Sequence, residues 1–105
     1  MKNTMTVGKE ELLKVAQRTQ DEITKRIAAD KILSSQRPLF HLASPAGWIN
    51  DPNGLSFYKA PSAAPECHIF YQYHPFSTKW GPMHWGHSTT KDFIVWKQEP
   101  VALAP

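Results

Sequence analysis

Cysteine is almost missing from this chain of 105 residues: Cys67 stands alone, so no disulfide can close within it. Beside the apolar run that follows it, a lone thiol is expected to be buried as a small hydrophobe, which fits a reducing compartment. Long apolar runs are missing too. No window reaches the roughly eighteen apolar residues of a membrane-spanning helix, and the stretch from Met1 to Val7 has no apolar segment of the length a secretory signal requires. The sequence therefore predicts a soluble protein that stays in the cytoplasm, with no membrane partner. Blocks of like charge are also absent. The 12 basic and 9 acidic residues are interleaved, the formal net charge is +3, and nothing calls for nucleic-acid binding. A hydrophobic content of 41% is ordinary for one small globular domain and argues against disordered and fibrous classes.

The first third lacks proline and aromatic residues, all of which lie from Pro38 onward. This divides the chain into a helical extension, 1–36, and a second part, 37–105. From Lys9 to Leu33 the spacing is helical: Leu12, Ala16, Thr19, Ile23 and Ile27 share one face, with Lys14, Arg18, Asp21, Glu22, Lys25 and Arg26 elsewhere. Thr6 or Gly8 can cap its start, and Ser34-Ser35 followed by Pro38 supplies a stop. Both charge signs occupy the polar face and no Trp or Phe sits on the apolar one. The pattern is that of a helix packed on its own protein rather than on a membrane surface.

Beyond Arg37 the period shortens. Asp51-Pro52-Asn53-Gly54 reads as a turn, since Pro52 fixes φ while Asn53 and Gly54 tolerate positive φ. Pro52 also disfavours helix at Asp51, which puts that carboxylate at a strand-to-loop junction. Strands are predicted at Leu55 to Lys59, Cys67 to Tyr73, His84 to Thr90 and near Ile94 to Lys97, with a loop from Ala60 to Pro65. Together they describe a mainly β protein, a four-stranded antiparallel sheet preceded by an α-helix. Such a sheet alone would leave Ile69, Phe70, Tyr71, Ile94 and Trp96 partly uncovered.

Among the polar residues, Asp51 is either the cap of its own turn or an acid offered to a ligand beside the Trp48 indole. Gln72 points away from Tyr71 and Tyr73, and is either a rim amide bonded to backbone or a donor and acceptor for sugar hydroxyls. Trp48, Trp80 and Trp85 offer flat faces suited to core packing or to stacking on a sugar ring. His84 and His87 sit three apart in strand-like sequence, which throws their rings to opposite sides, and no cysteine lies nearby. No metal and no cofactor is predicted.

Three segments, Trp48-Ile49-Asn50-Asp51-Pro52-Asn53-Gly54, Phe70-Tyr71-Gln72-Tyr73-His74-Pro75 and Lys79-Trp80-Gly81-Pro82-Met83-His84-Trp85-Gly86-His87-Ser88, resemble in order and interval the opening of the invertase, levanase and fructosidase family. Arg37-Pro38-Leu39-Phe40-His41 and the helix before it look most like the bacterial sucrose-6-phosphate hydrolases within it. The resemblance implies a five-bladed β-propeller, of which residues 37–105 hold the first blade. It also implies retaining hydrolysis of a terminal β-fructofuranosyl unit, with Asp51 as the nucleophile. Trp48, Ile49, Asn50, Gln72 and Trp80 match positions that meet the sugar, which is sucrose 6-phosphate, sucrose or a fructan.

The match has gaps. The family's later Arg-Asp-Pro segment and the Glu-Cys segment that holds the acid/base have no counterpart here. Glu66 and Glu99, the glutamates after Arg37, sit in other contexts. The chain thus reads as an N-terminal fragment of a larger enzyme, inactive by itself. The alternatives are a truncated, noncatalytic fructoside-binding module and a structural fragment with no ligand.

Overall fold

The computed structural model describes residues 8–29 and 36–105. The N-terminal periodicity becomes one helix, α1, Lys9–Ala29. The expected continuation to Leu33, the Thr6 cap and the Ser34-Ser35 stop lie outside the described residues. Gly8 starts the helix, its carbonyl accepting from the amides of Glu11 at 3.1 Å and Leu12 at 3.2 Å. Glu10 and Glu11 in the first turn and Arg26 in the last complement the helix dipole. On the apolar stripe Ala16 and Ile23 are buried and Ile27 is half-buried, whereas Leu12 remains 48% exposed near the N-terminal end.

Four strands follow: β1 Trp48–Tyr58, β2 Glu66–His74, β3 His84–Thr90 and β4 Lys97–Gln98. They form one antiparallel sheet in the order β1-β2-β3-β4, each strand pairing with the next along the chain. Alternation in β2 sends Tyr71 and Tyr73 to one face, where they form a core with Ile23 and Val101, bordered by Ile27, Leu42 and Ala104. Fully burying a side chain such as Ile23 contributes roughly 2 kcal/mol. The segment after β4 completes this core. It runs beside β3, where Trp85 and the Ala102–Leu103 backbone exchange two hydrogen bonds of 2.9 Å, and the Val101 amide donates to Gln20 Oε1 at 3.1 Å.

Tyr71 is therefore buried and not left partly uncovered as the sequence suggested, because α1 covers it. Its hydroxyl donates to Gln98 Oε1 at 3.0 Å and lies 3.3 Å from Ser88 Oγ, and burial pushes the phenol above its ordinary pKa. Gly86 lies under that ring, where an added Cβ would collide with it. Ile69, Phe70 and Trp96 are half-buried and Ile94 is exposed, as expected for a sheet covered on one side.

Two expectations fail locally. β1 does not turn at Asp51-Pro52-Asn53-Gly54 but runs through it, with register shifts between Asn50 and Pro52 and between Asn53 and Ser56. The turn-forming chemistry is spent on two irregularities within a strand. Asp51 and Gly54 take positive φ, 22° and 58°, and Pro52 is tolerated because β1 is an edge strand. The fourth strand begins at Lys97 rather than Ile94. Asp92 Oδ1 accepts the amides of Ile94 and Val95 at 2.9 Å each, and Thr90 Oγ1 takes the Phe93 amide at 2.9 Å and donates to the Val95 carbonyl at 2.7 Å. Those backbone groups are thus withheld from a ladder.

Candidate active site

The β1–β2 register places Trp48 opposite His74 and Asn50 opposite Gln72, so the alternate residues of the first motif share a face with the amide of the second. That face is the one away from α1. Trp48 Nε1 donates to Asn50 Oδ1 at 2.8 Å, and Asn50 Nδ2 donates to Gln72 Oε1 at 2.7 Å. Gln72 is thus a side-chain partner of Asn50 and not merely a rim amide on backbone. Trp85 stands opposite Gln72 on β3, continuing the face, and Phe70 stacks on His87 at 4.4 Å beside it.

Asp51 follows Asn50 at the first register shift. Its side chain is exposed, and its carbonyl accepts from Asn53 Nδ2 at 2.8 Å, so the local side-chain bond is made to the backbone of Asp51 and not by its carboxylate. A non-glycine residue held at positive φ is a local strain of the sort found where a side chain must be aimed. Ile49 alternates onto the other face, opposite Tyr73, and is 37% exposed, so it does not join the Trp48, Asn50 and Gln72 set.

Trp80 lies in the β2–β3 connection and is 68% exposed. Its loop is tied to the same end of the sheet through His74, whose Nδ1 is 3.1 Å from the Lys79 carbonyl and whose ring packs against Gly81. At that end Gly47, with φ of 68°, lets the chain entering β1 pass against the His74 carbonyl and Pro75, where a Cβ would not fit. His74 as the anchor of the Trp80 loop was not singled out in the sequence, although its place before Pro75 at a strand end was a signal.

His84 and His87 pair with Tyr73 and Phe70 respectively and fall on opposite faces, and among the described residues no three His, Cys, Asp or Glu converge as a metal-binding group. Burial lowers the pKa of His84, with nearby His74 adding to the effect, while burial and the neighbouring Tyr71 phenol push Tyr73 far up. Both groups are neutral near pH 7. Glu66 opens β2 opposite Tyr58, and Glu99 is bound by Lys97 at 3.0 Å and Thr89 at 3.0 Å.

Fold and sequence together define a glycoside hydrolase domain. Residues 41–105 match the family described as glycosyl hydrolases family 32 N-terminal domain, and the chain belongs to that family. It is 59% identical over 68 residues to a sucrose-6-phosphate hydrolase of Escherichia coli, a match covering 65% of this chain and 13% of that protein. To the levanase of Bacillus subtilis it is 47% identical over 88 residues, covering 79% of this chain and 12% of that one. Among solved structures, a Bombyx mori GH32 beta-fructofuranosidase superposes with a TM-score of 0.68 at 41% identity, over 85% of this chain and 18% of that one, and a mutant of that enzyme is solved in complex with sucrose. The chain spans about an eighth of the length of the E. coli and B. subtilis relatives.

Proposed function

We propose that this chain is the N-terminal part of a retaining β-fructofuranosidase that acts on sucrose 6-phosphate or sucrose in the cytoplasm. The observation that carries the reading is the hydrogen-bonded set of Trp48, Asn50 and Gln72 on one sheet face, immediately before the strained Asp51. In this reading residues 1–36 form a helical extension, and residues 37–105 form the first blade of a five-bladed propeller. Support comes from the matched family and from relatives whose names specify sucrose 6-phosphate, raffinose and levan chemistry.

The Asp51 carboxylate attacks the anomeric carbon of the terminal fructosyl unit, and the bond to the leaving oxygen breaks as a second, protonated carboxyl group donates to it. The same group then removes a proton from the water that opens the fructosyl ester and restores Asp51. Asn50, Gln72 and the exposed Trp80 surround the sugar, Trp48 supports them from the same face, and Ile49 belongs to that segment but faces the other way. Asp51→Asn removes the nucleophile without changing its shape. In the full-length enzyme it should cost about a thousandfold or more in kcat with little effect on melting temperature. Near-parental release of fructose by that variant would overturn the assignment.

A further inference from the structure

We infer that Trp48 is a positioning residue: its indole N–H fixes the orientation of both neighbouring amides, so that Gln72 offers its Nε2 hydrogens to the sugar. The inference rests on the fructosidase reading and adds a direction to its sugar-binding face. Side-chain amides can be turned end for end with little change in shape, so the roles of oxygen and nitrogen are set by the network around them. Trp48 Nε1 removes that freedom, because an indole nitrogen donates and never accepts. The atom 2.8 Å away on Asn50 must then be its oxygen, which turns Asn50 Nδ2 toward Gln72. The Gln72 atom 2.7 Å away must in turn be Oε1.

Gln72 Nε2 is left over, and among the described residues it has no protein acceptor. The Gln72 amide is thereby held in one orientation, with one Oε1 lone pair taken by Asn50 and the Nε2 hydrogens free for an oxygen lone pair on the ligand. The indole N–H of Trp48, being consumed within the protein, is not itself a contact to the sugar. Asn50 likewise has its oxygen occupied by Trp48 and one amide hydrogen by Gln72.

The test is a double-mutant cycle in the full-length enzyme carrying this chain, with Trp48→Phe, Gln72→Ala and the pair. Phe keeps an aromatic ring and removes the N–H. If Trp48 acts through Asn50 on Gln72, Trp48→Phe alone lowers kcat/KM about tenfold, the loss of one hydrogen-bond constraint. In the Gln72→Ala background its effect is then markedly smaller, what is left acting through Asn50 alone. Equal effects of Trp48→Phe with and without Gln72 would overturn the inference, since a residue that merely packs acts in both backgrounds. A second readout needs no turnover: in the folded enzyme the Asn50 side-chain amide proton donated to Gln72 exchanges slowly, and Trp48→Phe speeds it. Unchanged exchange would also overturn it. Faster exchange in an enzyme that cleaves no β-fructofuranoside would refute the fructosidase reading while leaving the relay in place.

Discussion

At the scale of single residues, the face away from α1 joins neutral polar chemistry to aromatic stacking, and His87 is where the two meet. His68 Nδ1 lies 2.9 Å from His87 Nε2, the rings stack at 5.1 Å, and Phe70 closes the other side of His87 at 4.4 Å. Such a bond needs one donor and one acceptor, so protonating both rings sets two N–H groups against each other. Burial first, and His68 second, hold the His87 pKa below its ordinary 6.5, against the opposing pull of Glu99 and Glu66. The folded state therefore resists a proton that the unfolded chain accepts. Between the lowered folded value and 6.5 the unfolded chain binds more protons, so this contribution is complete above 6.5 and is lost as pH falls through that window. Following the ring protons of His87 by NMR should give a midpoint below 6.5, together with stability that declines as the pH is lowered from 6.5 to that midpoint and levels off below it. A midpoint at or above 6.5 would contradict the account.

At the scale of elements, α1 is held to the sheet by a small number of groups, of which Ile23 is fully buried against Tyr71, Tyr73 and Val101. Ile23→Ala should cost about 2–5 kcal/mol of stability, the range for emptying a buried aliphatic site. It should also raise proteolysis within Lys9–Ala29 well above that in β2, and equal protection of helix and sheet in the variant would show that the docking lies elsewhere. This helix was legible because its period is long and unbroken, and β3 was legible to the residue, since alternation extends through His84–Thr90. β1 was not legible. Pro52, Asn53 and Gly54 carry the local signature of a turn, and only pairing with β2 shows that the same backbone freedom serves as irregularities inside a strand. β4 was displaced because the Asp92 and Thr90 side chains capture the backbone that period alone assigns to a strand. The candidate site was legible as a set of residue types, but its hydrogen bonds join positions 22 residues apart, and only the sheet register could show that Asn50 meets Gln72 while Ile49 turns away.

At the scale of the whole molecule, the described residues cover one face of the sheet and leave much of the other exposed. Trp85, Phe57, Tyr58, Ile94 and Val95 are exposed, and β1, an eleven-residue strand at the sheet edge, has one side of its backbone unpaired. Long unpaired edges and bare apolar surface favour association with other chains. On the proposed reading the catalytic side is equally incomplete. A retaining hydrolase holds two carboxyl groups about 5 Å apart. Glu66 pairs with Tyr58, seven positions along β1 from Asp51, roughly 23 Å at about 3.3 Å per residue. Glu99 lies beyond β3, three strand spacings or about 14 Å from β1, and is engaged by Lys97 and Thr89. Neither can oppose Asp51. This span expressed by itself should therefore release no fructose from sucrose or sucrose 6-phosphate, and in size-exclusion chromatography and denaturant unfolding it should self-associate or lose structure without a sharp transition. A monodisperse monomer with a cooperative transition would show that one covered face is enough for stability. Turnover abolished by Asp51→Asn in the isolated span would show that its acid is supplied from within these residues.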